Sequence, residues 1–140
     1  MRTGLFENLS ILALSLLTAG CQYKAEVSVT GSANHLMIDV RDHSVPNSAR
    51  GIGYAILSEN IGGKQKSLWQ IDAKDGCAKT VSHLVYGETP LNFTAHTPPR
   101  DLIEGIDYEV IVGGCGYNGK AFFRLVKGQA VSIDRPTYDR

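Results

Sequence analysis

The sequence lacks a surplus of either charge: 14 Lys and Arg are balanced by 14 Asp and Glu in 140 residues. Nucleic acid is held by dense positive surface, so no nucleic-acid partner is expected. The charges stand singly, as at Lys64, Lys66, Asp72, Lys74, Asp75, Lys79 and Glu88, the usual pattern of a solvated surface. No apolar run is long enough to form a permanent transmembrane helix, which needs ~20 residues; the best stretch, residues 9–17, is broken by Ser10 and Ser15. There is no GxSxG and no CxxC, which removes the sequence signs of a serine hydrolase elbow and of a thiol redox or zinc pair. His35, His43, His83 and His96 are scattered, no two within five residues, so no metal site is expected. No pair of carboxylates is singled out for acid–base work. The expectation is a non-enzymatic protein without a cofactor.

What is present begins with a leader. Arg2 gives a weakly positive start, residues 9–17 are rich in Leu, Ile and Ala, and Thr18, Ala19 and Gly20 are small. That order, charged then apolar then small, is the order of a cleaved secretory signal. An amphipathic surface helix fits poorly, because no charged residue lies between Leu9 and Cys21 to form a polar face.

The segment Leu17-Thr18-Ala19-Gly20-Cys21 resembles the lipobox of bacterial lipoproteins. The resemblance implies cleavage before Cys21 and lipid on its sulfur, where only a thiol offers the thiolate nucleophile to be alkylated. Two or more acyl chains make a stable anchor where one is marginal. Gln22 follows the cysteine in place of the aspartate that resembles an inner-membrane retention signal, which implies an outer-membrane, periplasm-facing address. The membrane, reached through lipid on Cys21, is thus one expected partner.

The cysteine count agrees with export. Three cysteines are odd, and setting Cys21 aside leaves Cys77 and Cys115 as a pair. An oxidising compartment makes a disulfide between them the natural expectation. The alternative, a metal or redox pair, has no CxxC and no histidine at ligand spacing to support it.

After residue 21 helical periodicity is scarce and two-residue alternation recurs. Leu36, Ile38 and Val40 alternate with Met37, Asp39 and Arg41, and Tyr108, Val110 and Val112 repeat the pattern, as on a half-buried strand. Further strands are expected over 25–30, 53–58, 67–71, 81–85, 120–126 and 130–133, with turns at 31–34, 60–63, 74–76, Asn118-Gly119 and Lys127-Gly128. Residues 42–50 and 89–105 hold prolines and read as edges or long connections. Trp69 and Tyr54 read as packing residues. The expected organisation is a signal peptide (1–20), a lipidated tether (21–25), a domain (26–134) and a flexible tail (135–140). The expected fold is all-β, a small antiparallel β-sandwich of about seven to nine strands stapled by one disulfide.

Gly114, Gly116 and Gly119 spell GxGxxG after an expected strand. A dinucleotide site needs a helix to open at these glycines and an acid about 20 residues later. Residues 121–126 read instead as a strand, so a tight turn on Asn118-Gly119 is expected. In the second half, Trp69, Cys77, Tyr86-Gly87, Pro90, Phe93, residues 98–102, Gly105, Tyr108, Val110, the glycines at 113–116 and Phe122-Phe123 resemble small uncharacterised proteobacterial lipoproteins. Some of these are described as immunity lipoproteins of type VI secretion systems. The resemblance implies a protein partner, an incoming periplasmic toxin, and supplies no binding residues. The expected function is therefore a protein-binding lipoprotein, with an envelope assembly accessory as the alternative and a small envelope hydrolase as a third class.

Overall fold

The computed structural model describes residues 23–41, 51–78, 81–114 and 116–134. The expected signal peptide (1–20), Cys21, residues 42–50, Cys115 and residues 135–140 lie outside them. Among the described residues there are ten strands and no helix: β1 (Tyr23–Lys24), β2 (Glu26–Ser32), β3 (His35–Arg41), β4 (Tyr54–Ile61), β5 (Lys64–Ala73), β6 (His83–Val85), β7 (Phe93–Thr97), β8 (Asp107–Gly114), β9 (Tyr117–Val126) and β10 (Gln129–Ile133). The all-β expectation holds. Where the sequence pointed to a two-sheet sandwich, these strands join one sheet in the order β6-β3-β2-β10-β9-β8-β4-β5-β7, with β1 alongside β9.

The sheet is curled into a half-barrel, and its connectivity shows why. Nine strands side by side would span about 38 Å if flat, at ~4.8 Å per strand. β6 and β7 occupy opposite edges yet follow one another in the chain, and the link from Val85 to Phe93 reaches at most about 29 Å. The ring of Trp69 on β5 meets that of Tyr86, just past β6, edge to face at 5.4 Å between centroids. Two irregularities help the bend. The β4–β5 register shifts after Leu57, and the β5–β7 register shifts after Gln70. Bulges of this kind increase local twist and curvature. At the first, Leu68 and Trp69 are both buried although consecutive, because the extra residue also turns inward.

Strand alternation then fills the concave side. Val27 faces Val40, Val29 faces Ile38, and Ile38 faces Leu84. Ala55 lies between Ile71 and Val112, Leu57 between Trp69 and Val110, and Tyr108 stacks on Phe123 at 5.2 Å. All of these side chains are buried and form one core. β10 acts as a wedge. It pairs with β9 over five residues but touches the β2 ladder only at Gln129 and Ser32. At the other end of β9, β1 runs parallel to it, with Tyr23 opposite Tyr117.

One local expectation is corrected. Asn118 and Gly119 lie within β9 and are not a turn; Gly114 pairs with Tyr117, so the chain reverses between them. Gly119 is in the strand because β1 and β2 pass close by: a Cβ there would lie 2.5 Å from the Ala25 carbonyl oxygen and 2.7 Å from Val27 Cγ2. Residues 89–105, expected as edges or long connections, do supply an edge, although β7, the strand that forms it against β5, is not among the expected strands. Thr94, Ala95 and His96 are exposed, so this edge strand has little of the alternation by which strands are recognised.

Candidate functional site

The sheet has two ends. The first, the entry end, is the row where the chain enters β1. There Gly53 N–H donates to the Gly113 carbonyl and Ala73 N–H to the Gly53 carbonyl, both at 2.7 Å. With β1 beside Tyr117 and β7 beginning opposite Ala73, this row runs from β1 to β7. The second, the far end, gathers the β4–β5 turn, the loop of residues 98–106 and the β9–β10 turn.

The far-end loop is held by side chains from the body. The Tyr86 hydroxyl accepts from Arg100 N–H (3.0 Å) and donates to its carbonyl (2.7 Å). The Tyr108 hydroxyl accepts from Ile103 N–H at 2.6 Å and donates to the Ile103 carbonyl at 3.3 Å. The Glu104 carboxylate accepts from Lys127 N–H, 3.1 Å, and from Gly128 N–H, which ties the loop to the β9–β10 turn. Gly105 N–H donates to the Leu125 carbonyl. Burial pushes both tyrosine pKa values up, opposed by their backbone hydrogen bonds. At neutral pH both phenols therefore keep the proton their donor bonds require.

Beside this loop is a pocket of about 150 Å³ lined by Asn60, Ile61, Gly62, Gly105, Ile106, Asp107 and Arg124. Asp107 and Arg124 are cross-strand partners on β8 and β9, and Arg124 Nε donates to Asp107 Oδ1 at 2.7 Å. Asp107 is buried while the guanidinium is partly open to solvent. A buried charge kept with its partner is tolerated, and one deprived of it is costly. Large apolar side chains face solvent at Ile61, which lines the pocket (54 % exposure), at Ile103 in the loop (59 %), and at Val126 and Val131, the latter opposite Arg124 (44 % each). Scattered apolar residues need no explanation, but a group of them with polar neighbours marks interaction surface.

The sequence-derived candidates fall elsewhere. Cys77 is half-buried in the turn after β5, at the entry end, while Cys21 and Cys115 are outside the described residues. His96 Nε2 lies 2.7 Å from Asp72 Oδ2 and His83 Nδ1 lies 3.6 Å from Asp39 Oδ1, on separate parts of the sheet. His35 begins β3; His43 is outside the described residues. Among the described residues no three metal-ligating side chains converge, and no helix is long and apolar enough to cross a membrane. Tyr86, Glu104, Asp107 and Arg124 were not singled out from the sequence. Their partners are 17 to 24 residues away, or are backbone groups, and no local motif marks them.

The chain matches no family model, no curated protein and no solved structure.

Proposed function

We propose that this chain is a membrane-anchored periplasmic lipoprotein, cleaved before Cys21, whose β-domain binds another protein without catalysing a reaction. The single observation that carries the binding part is the far end: a loop tied down through two tyrosine hydroxyls and one carboxylate, which presents an exposed Ile103 and contributes Gly105 and Ile106 to the pocket. Ordering a loop before binding removes part of the entropy cost of association. Exposed apolar side chains with polar groups at their margin are the usual anatomy of a binding patch. An immunity role fits such a surface, because a toxin is blocked by occupying it.

The anchor reading rests on the lipobox resemblance and is compatible with the direction of the chain. β1 starts at Tyr23, at the entry end, and β9 carries the sheet about 30 Å from Tyr117 to Val126 at ~3.3 Å per residue. Lipid on Cys21 would leave the far end turned away from the bilayer. A Cys77–Cys115 disulfide belongs to the same reading. Its support is the packing of the neighbouring glycines: a Cβ on Gly53 would lie 2.4 Å from the Gly76 carbonyl oxygen and 2.8 Å from Gly114 Cα. The residues preceding both cysteines thus meet at one place.

Deletion of the gene tests the role. Sensitivity only in the presence of attacking sibling cells supports immunity, whereas an envelope defect in monoculture supports an assembly accessory. Mass spectrometry of the mature amino terminus tests the anchor: a diacylglyceryl-modified Cys21 is expected, and an unmodified one refutes it.

A further inference from the structure

The anchor reading leaves one feature of the entry end without a use. Leu91 is 88 % exposed, more than any other large apolar residue described. Its display is built into the backbone. Phe93 N–H donates to the Pro90 carbonyl at 3.1 Å, closing a four-residue turn, and Asn92 has a φ of 69°, the left-handed conformation that Asn tolerates at the third position of a type II turn. The turn is in turn clamped to the body, because the Asn92 carbonyl accepts from Lys74 N–H at 2.8 Å. Leu91 at the corner cannot fold back onto the core without breaking these bonds.

The same row places this corner with the start of the domain. β1, β9, β8, β4, β5 and β7 are successive neighbours, so Phe93 is five strand spacings from Tyr23, about 24 Å at most. The Lys74-Asp75-Gly76 turn, joined to it through the Lys74 N–H bond to the Asn92 carbonyl, is likewise exposed. With lipid on Cys21 only two residues ahead of β1, a bilayer surface would lie within reach of this turn.

We infer that Leu91 contacts the bilayer and sets how the domain stands on the membrane. The occupant of this corner is a lipid surface, with the leucine entering the acyl boundary. Burial of one leucine changes a partition equilibrium by roughly tenfold or more, too little to hold a free protein on a membrane. For a domain already tethered, the leucine meets lipid at high effective concentration, and the same tenfold bias selects one orientation. Turning the entry end to the bilayer also keeps Ile61 and Ile103 facing outward. The inference rests on the anchor reading above.

The test uses the lipidated full-length product in vesicles of phosphatidylethanolamine and phosphatidylglycerol, with brominated acyl chains as quenchers. The native indole is a quiet background, since Trp69, the single tryptophan, is fully buried. Leu91→Trp introduces a reporter at the entry end and Ile103→Trp one at the far end; both positions are exposed, so neither change disturbs the core. Loss of the introduced emission in Leu91→Trp, with full emission retained in Ile103→Trp, is the expected result. Equal quenching of both, or of neither, in a protein whose Cys21 lipid is verified by mass overturns the membrane contact alone. A mature protein without lipid on Cys21 overturns the anchor and the contact together.

Discussion

At the entry end the backbones of Gly53, Gly76 and Gly114 approach one another with no side chain between them, whereas at the far end the loop is held off the core by hydroxyl and carboxylate groups. The first arrangement is steric and leaves no room for a side chain at Gly53 or Gly114. The second consists of individual hydrogen bonds, each of which can be removed singly. An end fixed by backbone packing suits attachment, and an end fixed by side-chain bonds can vary its exposed residues while the frame persists. The contrast also separates stability from recognition: changes at the packed Gly53 contact are expected to unfold the domain, and changes at exposed residues of either end to leave it folded.

The largest effect is expected at Gly53. In Gly53→Val the new Cβ would lie within 2.4 to 2.8 Å of the Gly76 carbonyl and Gly114 Cα, and backbone atoms cannot move aside cheaply. A loss of about 3 kcal/mol or more is expected by the overpacking and strain magnitudes. Thermal unfolding that leaves the transition unchanged would contradict the close packing. A similar loss, about 3 to 4 kcal/mol by loop-closure reasoning, is expected for Cys77→Ser if the proposed bridge forms. Equal stability with and without reductant would remove the bridge.

The far end should yield less. Tyr108→Phe deletes the hydroxyl that serves both backbone groups of Ile103, and leaving such groups unpaired costs roughly 1 to 3 kcal/mol. Faster hydrogen exchange at Ile103 and Gly105 than at the core strands is the expected local signature. Tyr86→Phe should do less, because its bonds to Arg100 are at an exposed site. Both tyrosine pKa values are raised, so the folded state binds these protons more tightly than the unfolded chain. Their contribution is complete below the ordinary tyrosine pKa of about 10 and is lost as pH rises through the folded values. Denaturation curves should therefore show falling stability above about pH 10, with a smaller fall in the double Phe variant; an equal fall in both would place the alkaline sensitivity elsewhere.

These differences explain what could be read from the chain. Eight of the ten strands follow from apolar alternation and turn residues, as at Leu36, Ile38 and Val40. β1 escaped because two residues hold no period, and β7 because it is an edge whose middle residues face solvent. Asn118-Gly119 looked like a hairpin turn because its local chemistry is right for one; the passage of β2 over Gly119 is a long-range fact. Closure into one curled sheet was hidden for the same reason. It depends on where the short β6 pairs, and three residues of β6 against β3 carry no signal of their partner. The far-end site was the least legible part, since nothing local distinguishes Tyr86, just past β6, or the buried Tyr108 of β8 from other packing tyrosines until the loop they hold is in place.

The smallest effect on stability is expected where the effect on binding is expected to be largest. Ile103→Asp alters an exposed side chain that is 59 % accessible, and should shift stability by no more than about 0.5 kcal/mol. The most direct test is affinity capture from the native envelope with the anchored wild type and with Ile103→Asp, identifying what each retains. The proposed function predicts a specific protein held by the wild type and lost by the folded variant. Retention of the same protein by both, or of no specific protein by either, would contradict it.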